Sequence, residues 1–251
     1  MEKENTQEDK DIIRKNEELL ALNRSLVSQN KELKQFAYLA THDLQQPLNN
    51  IISFLSLLEE NKNNLDDLGK TSVDVIKKST YKMKRLINSL LELSLIGNDK
   101  HDELISVDEI LKNVLEKLSD KILVSNAKVN INVDSHQFKG SKNVIYLLFL
   151  NLIENALNFS RKGIHPEIHI NSKKETSHYE YSITDNGIGI DEKYFDEIFK
   201  IFYTIENKDE SKGVGIGLPQ CKKILQLYNC KIWLESTINQ GTKVYFTLPN
   251  S

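Results

Sequence analysis

Ile12, Leu19, Leu26, Leu33 and Ala40 stand seven residues apart, with Leu22 and Phe36 three residues beyond their neighbours. So regular a stripe leaves few folds open. A heptad face on a long helix is covered by a second helix wound around it. Asn16, Asn23 and Asn30 accompany the seam, and Glu and Lys fill the outer positions, as in two-stranded coiled coils. A solitary solvated helix would not need this regularity, so the pattern predicts dimerisation.

The stripe continues through Phe36/Ala37, Ala40, Leu44, Leu48, Ile51, Leu55 and Leu58, with one extra spacing of four beside Pro47. Proline lacks an N–H and crowds the carbonyl four residues back, here that of Asp43, so a bend is expected there. NKNNLDDLGK (61–70) reads as a polar turn. A second amphipathic helix follows, with Val73, Ile76, Met83, Leu86, Leu90 and Leu93 on one face and a stop near Gly97-Asn98. Two such hairpins joined through their apolar faces make a four-helix bundle.

After residue 100 the pattern changes. A helix from Val107 to Leu118 precedes a strand of alternating residues at Val129–Val133, then a long apolar helix from Asn143 to Phe159. Strands are expected at Glu167–Ser172 and Tyr179–Thr184, a helix at Leu218–Tyr228, and strands at Lys231–Ser236 and Thr242–Leu248. Mixed strands and helices without regular βα alternation predict an α+β two-layer sandwich. The boundary between hairpin and sandwich falls near 98–103.

The formal net charge of -3 gives no reason to expect nucleic-acid binding. Cys221 and Cys230, the two cysteines, form neither a metal pattern nor a disulfide framework. No apolar run approaches the ~20 residues that cross a bilayer, and the opening MEKENTQEDKD is too polar for a signal peptide. A cytoplasmic chain with no membrane insertion of its own is the expectation.

Four stretches carry chemistry. In Thr41-His42-Asp43-Leu44-Gln45-Gln46-Pro47-Leu48, His42 should point away from the stripe, about 200° around the helix from Ala40 at ~100° per residue. An exposed imidazole beside a carboxylate suits a nucleophile, because Asp43 can fix the ring tautomer and accept a proton. A bare His-Asp pair is more often an incidental surface pair. Asn151, Asn155 and Asn158 fall at i, i+4 and i+7, so three amides share one helix face opposite Ile145, Leu148, Leu152, Ala156 and Phe159. Amide oxygens suit Mg²⁺, and a polar row on a core helix is costly without partners. Asp185-Asn186-Gly187-Ile188-Gly189-Ile190 follows a strand, and its carboxylate suits the exocyclic amine of adenine. Lys212-Gly213-Val214-Gly215-Ile216-Gly217-Leu218 opens onto a helix, whose N-terminus suits phosphate oxygens. Each of these last three also reads as plain structure when taken alone.

Together and in this order, they resemble the H, N, G1 and G2 boxes of sensor histidine kinases from about residue 30 onward. Ile198-Phe199-Lys200-Ile201-Phe202-Tyr203 looks like the F box, and Gly241-Thr242-Lys243-Val244-Tyr245-Phe246 like the closing strand motif. THDLQQPL is most similar to kinases of the bacterial-phytochrome type. The resemblance implies a coiled-coil signalling helix (1–32), a dimeric phosphoacceptor hairpin (33–98) and a Bergerat-type ATP-binding sandwich (103–251). It implies ATP and Mg²⁺ as ligands, His42 as phosphoacceptor, Asp43 as its acid, base or orienting group, Asn155 on Mg²⁺ and Asn151 behind the metal-phosphate site. Asp185 would hold the adenine amine, Gly187 and Gly189 would give it room, and Thr242 would back it. Ile190, Phe202, Tyr203 and Asn158 would line the nucleotide site. Residues 203–214 would form a lid, with Lys208 and Lys212 near the phosphates and Gly213 as hinge. Val214, Gly215, Ile216, Gly217 and Leu218 would bring backbone to them. The implied partners are a second copy, a response-regulator receiver domain and an upstream sensor.

Two positions depart from the family pattern. Asn158 stands where many members carry Lys or Arg, so one phosphate-binding cation is missing and weaker nucleotide affinity is expected. Gln46 stands where many carry Thr or Asn, which leaves removal of phosphate from the partner open. Asn151 stands where related ATPases carry glutamate, and an amide cannot take a proton from attacking water. A scaffold that uses nucleotide only as a conformational switch is the competing reading, with Asn158 as its support. A plain coiled-coil adaptor would leave the glycine motifs unexplained.

Overall fold

The computed structural model describes residues 2–96, 103–205 and 215–250, except for the side chains of residues 2–11, 17, 27, 28, 30–38, 42 and 62. The chain divides into two compact units, Met1–Ser94 and Leu95–Ser251.

The first unit is a helical hairpin. Helix α1 runs over Glu2–Glu60 and contains Pro47 without a break. Pro47 and Asp43 are both exposed, on the side where water takes up a carbonyl that has lost its helical partner. A short 3-10 turn at Lys62–Asn64 leads to helix α2, Asp67–Leu95. The Asp66 carboxylate accepts the Gly69 N–H at 2.8 Å and so caps α2. The stop expected at Gly97-Asn98 lies outside the described residues.

Two heptads form the hairpin core. Thr41, Leu48 and Leu55 of α1 are buried, as are Val73, Thr80, Ile87 and Ser94 of α2. Gln45 Nε2 donates to Asn88 Oδ1 at 2.8 Å, and Lys77 pairs with Glu59, which sets the helices antiparallel. The single stripe expected on each helix is thus split. Leu48 and Leu55 face inward, whereas Leu44, Ile51 and Leu58 stay exposed. On α2, Val73 and Leu93 are buried but Ile76 and Met83 remain 47% and 51% exposed. Ile87, outside the expected α2 stripe, is buried in their stead. A helix in a bundle has two apolar seams, one for its own hairpin and one for another, and periodicity alone does not separate them.

The second unit is a two-layer sandwich. Its elements are β1 (Glu103–Ser106), α3 (Val107–Lys117), α4 (Ser119–Ser125), β2 (Lys128–Asn132), β3 (Gln137–Gly140), α5 (Lys142–Asn158), β4 (Glu167–Lys174), β5 (His178–Asp185), α6 (Gly217–Leu227), β6 (Ile232–Thr237) and β7 (Gly241–Pro249). Two 3-10 turns, Glu192–Tyr194 and Glu197–Phe199, lie between β5 and α6. The main sheet has the order β2-β4-β5-β7-β6, and β1 pairs with β3 separately. Strand β2 runs parallel to β4, and every other pairing is antiparallel.

The buried sides of α3 (Ile110, Leu111, Val114), α5 (Ile145, Leu148, Phe149, Leu152) and α6 (Ile224, Leu225) supply the helical layer of the core. Phe149 meets Tyr181 and Phe246 edge-on, at 5.7 and 5.5 Å between ring centres, while Tyr181 and Phe246 stack at 5.3 Å. Such pairs add to plain area burial and fix the register of α5 on the sheet. Beside them His136 is buried: its Nε2–H donates to Pro249 O and its Nδ1 accepts from the Tyr181 hydroxyl, both at 2.9 Å. Burial holds its pKa below the usual histidine value.

Candidate nucleotide site

Helix α5 presents the three amides, and α6 meets them. Asn151 Nδ2 donates at 2.9 Å to Oε1 of Gln220, a buried residue of α6. Gly217 opens α6, and a Cβ placed there would lie 3.4 Å from Asn151 Oδ1 and 3.6 Å from Asn155 Nδ2. The helix end therefore stands directly over the amide row. Ile216 precedes it and provides no side-chain cap, so the first-turn N–H groups of Gly217 and Leu218 lack the usual side-chain acceptor. Among the described residues, the half-buried side chains of Asn155 and Asn158 have no hydrogen-bond partner. Glu154 points elsewhere and pairs with Lys121 at 2.9 Å.

Asp185 ends β5. Its Oδ1 accepts two backbone donors, Gly187 N–H at 2.7 Å and Thr242 N–H at 3.2 Å. Burial raises its pKa above the ordinary carboxylate value, and these two N–H groups partly offset the rise. Among the described residues Oδ2 has no partner. A carboxylate with one oxygen fixed and the other open is an acceptor aimed at a ligand donor.

The glycines around Asp185 answer first to the protein's own backbone. A Cβ on Gly187 would come within 2.5 Å of Phe159 O, and one on Gly189 (φ +69°) within 2.0 Å of Thr237 O. They let the loop pack on α5 and on the β6–β7 turn. Ser236 ties the same region together. Its Oγ accepts from Ile190 N–H at 2.8 Å and donates to Gly241 O at 2.8 Å. That leaves the Thr242 hydroxyl to donate to Ser236, at 2.9 Å. Thr242 thus supports Asp185 with its backbone N–H, and its hydroxyl is used elsewhere.

Phe202 N–H donates to Gly215 O at 2.9 Å, with Phe202 in the left-handed region (φ 66°). Residues 202 and 215, which flank segment 203–214 in the sequence, are thereby tied to each other. Tyr203 lies 6.3 Å from Tyr194, centre to centre. Lys208, Lys212, Gly213 and Val214 lie outside the described residues, as does the side chain of His42. The backbone of His42 lies within α1, with Asp43 and Gln46 exposed beside it.

Three residues of this site escape sequence reasoning. Gln220, Ser236 and Arg161 bind other residues of the chain, and no spacing marks them. Arg161, just past α5, donates from Nε to Asn186 O at 2.8 Å and from its NH1 group to Asn239 O at 2.7 Å. The Asn186 side chain is itself engaged, accepting from Glu167 N–H and donating to His165 O. Among the described residues no cluster of His, Cys, Asp and Glu could hold a metal ion. Amide oxygens and bound phosphate remain the donor set a hard cation would meet here.

Comparison with known proteins agrees with this geometry. Residues 32–99 match the His Kinase A (phospho-acceptor) domain. Residues 140–251 match the histidine kinase-, DNA gyrase B- and HSP90-like ATPase family. Cyanobacterial phytochrome A of Nostoc sp. is 35% identical over 240 residues, covering 95% of this chain and 31% of that protein. The chain thus spans about a third of the length of such relatives. Full-length ShkA in complex with AMPPNP superposes with a TM-score of 0.62 at 20% identity, over 86% of this chain and 45% of that one. Histidine kinase ThkA in complex with the response regulator TrrA gives 0.60 at 21% identity, over 88% and 64%. A phosphoacceptor hairpin followed by this ATPase fold, in a chain with these relatives, places the protein in the histidine kinase family.

Proposed function

We propose that the chain binds ATP in its sandwich, transfers the γ-phosphoryl group to its own His42, and passes it to an aspartate of a response-regulator receiver domain. The observation that carries this reading is Asp185, a half-buried carboxylate with Oδ1 fixed by two backbone N–H groups and Oδ2 open. That arrangement accepts the exocyclic amine of adenine and meets only an acceptor on guanine. The unpartnered amides of Asn155 and Asn158 and the uncapped start of α6 offer themselves to the phosphate end. Asn155 suits Mg²⁺, supported by Asn151. When bound, the ion would neutralise phosphate charge.

His42 is the nucleophile in this reading, with Asp43 holding its tautomer and taking its proton. Asn151 gives an amide where hydrolysis would need a base, so water is not activated and the phosphoryl group goes to histidine. Phe202, Tyr203 and the segment carrying Lys208 and Lys212 close over the nucleotide, and Gln46 orients water if the chain also dephosphorylates its partner. The exposed heptad Leu44, Ile51, Leu58 with Ile76 and Met83 supports a homodimer, because two such seams cover each other. We assign residues 1–32 to signal input, 33–98 to phosphoacceptance and dimerisation, and 103–251 to ATP binding. Among the described residues no helix is long and apolar enough to cross a membrane, and ATP supply places the activity in the cytoplasm.

The test is calorimetry with Mg-ATP and Mg-GTP, followed by transfer from the labelled protein to candidate receiver domains. Strong heat with ATP, much weaker heat with GTP, and label moving to one receiver is the expected result. Absence of any heat on folded protein removes the kinase reading, and ATP binding without label favours the scaffold.

A further inference from the structure

Arg161 belongs to none of the motifs, yet it reaches the adenine-reading group through a single peptide. The shorter of the two N–H bonds that fix Asp185 comes from Gly187, whose N–H shares its peptide unit with the carbonyl of Asn186. That carbonyl accepts from Arg161 Nε at 2.8 Å. A cation on the oxygen of a peptide polarises it and strengthens its N–H as a donor. The other arm of the guanidinium holds Asn239 O at 2.7 Å, in the turn between β6 and β7.

Further bonds lock that turn to the same loop. Asn239 N–H donates to Ile188 O at 2.7 Å, and Ile188 N–H donates to Phe159 O at 2.9 Å, two residues before Arg161. The end of α5, the Asp185 loop and the β6–β7 turn thus form a closed ring of hydrogen bonds with Arg161 at its hub. Only a planar fork bridges two carbonyls in fixed geometry; an ammonium group is a single point charge.

We infer that Arg161 is a positioning residue for purine selection: acting through the Asn186–Gly187 peptide, it aims the Asp185 carboxylate at the base. This rests on the ATP reading above, which gives Asp185 its ligand. Loss of Arg161 leaves the pocket in place but lets the carboxylate swing, so the nucleotide that depends on it suffers and one that does not is indifferent.

The experiment uses the full chain as Arg161→Ala and Arg161→Lys, with equilibrium binding of Mg-ATP and Mg-GTP and the amide proton shift of Gly187 in nucleotide-free protein. In Arg161→Ala, ATP affinity should fall about tenfold, the scale of a lost charge-assisted hydrogen bond. The weaker GTP binding should stay unchanged, and the Gly187 amide should move upfield. Arg161→Lys should fall between. Folded variants with wild-type selectivity and an unmoved Gly187 signal would overturn the inference. So would equal loss of both nucleotides, which is what a purely structural role produces. If Arg161→Ala does not fold, Arg161→Lys decides by the same two readouts. The Gly187 shift needs no nucleotide, so a wild-type chain that binds no ATP sinks the kinase reading while this signal still reports on the clamp.

Discussion

The hairpin and the sandwich bury their apolar residues to different degrees. In the sandwich, Phe138, Phe149, Tyr181 and Phe246 are fully enclosed, and three helices close one face of the sheet. In the hairpin, Leu44, Ile51, Phe54, Leu57, Leu58, Ile76 and Met83 are all exposed, and the inward layers include Thr41, Thr80 and Ser94. One unit has a finished core of its own. The other has half a core, and it is the half that carries His42. In the proposed reading the phosphoacceptor sits on a bundle that association completes, whereas Asp185 and the amide row sit on a unit with its own closed core.

The largest expected effect separates the two. Phe149→Ala should cost the sandwich about 3–5 kcal/mol. Trp233, the sole tryptophan, lies in β6 and reports that unit by fluorescence, while the helical circular dichroism reports chiefly the long hairpin. The fluorescence melt should drop well below the helical one, and a common drop would mean that the units do not melt independently. Next comes Ile51→Asp, at a position 46% exposed in the single chain. If the seam is covered in a dimer, the change should weaken association by roughly 2–4 kcal/mol and make the helical melt strongly dependent on concentration. Sedimentation that shows the same mass for variant and wild type would refute the covered seam.

A smaller effect comes from pH. The folded pKa of His136 lies below its unfolded value. The unfolded state therefore binds more protons as pH falls through about 6.5, and stability declines, by at most about 1.4 kcal/mol per pH unit. The Trp233 melt should show this slope and His136→Phe should lose it. Asp185 carries the opposite sign. Its folded pKa is raised, so the ionised form costs stability at neutral pH, and that cost is relieved as pH falls from the folded pKa toward the unfolded one. Asp185→Asn should raise the melting temperature of the nucleotide-free sandwich while abolishing ATP binding. A lower melting temperature would show that the carboxylate is not strained. A residue that weakens its own fold is expected at a working site.

Much of this was legible in residue order, for identifiable reasons. Alternation at Val129–Val133 and at Tyr179–Thr184 marks half-buried strands, and both form close to the expected limits. The long apolar run through Phe149 could only be a core helix. Short elements with little burial left no trace: β1 has 4 residues with Leu104 exposed, and α4 buries no residue. The seam of α2 is misplaced because Met83 and Ile87, four residues apart, are neighbours on one apolar face, and periodicity does not say which of its two adjacent seams meets α1. At the site, Asp185 and the amide row stood out by type and spacing. Arg161 and Ser236 did not, since each bonds to backbone far away in the chain, and backbone acceptors carry no residue signature. The glycines of the Asp185 loop stand out in the sequence, but their packing against Phe159 and Thr237 does not, because close backbone packing and close ligand approach demand the same residue.

The central claim, that nucleotide held by the sandwich ends as phosphate on the hairpin, reduces to one measurement. Incubation of the full chain with labelled ATP and Mg²⁺ should yield a phosphoprotein that is labile in acid and stable in alkali, with the label mapped to His42 and lost in His42→Ala. Label that persists on His42→Ala, or a wild-type chain that binds ATP and never takes up label, would contradict the account.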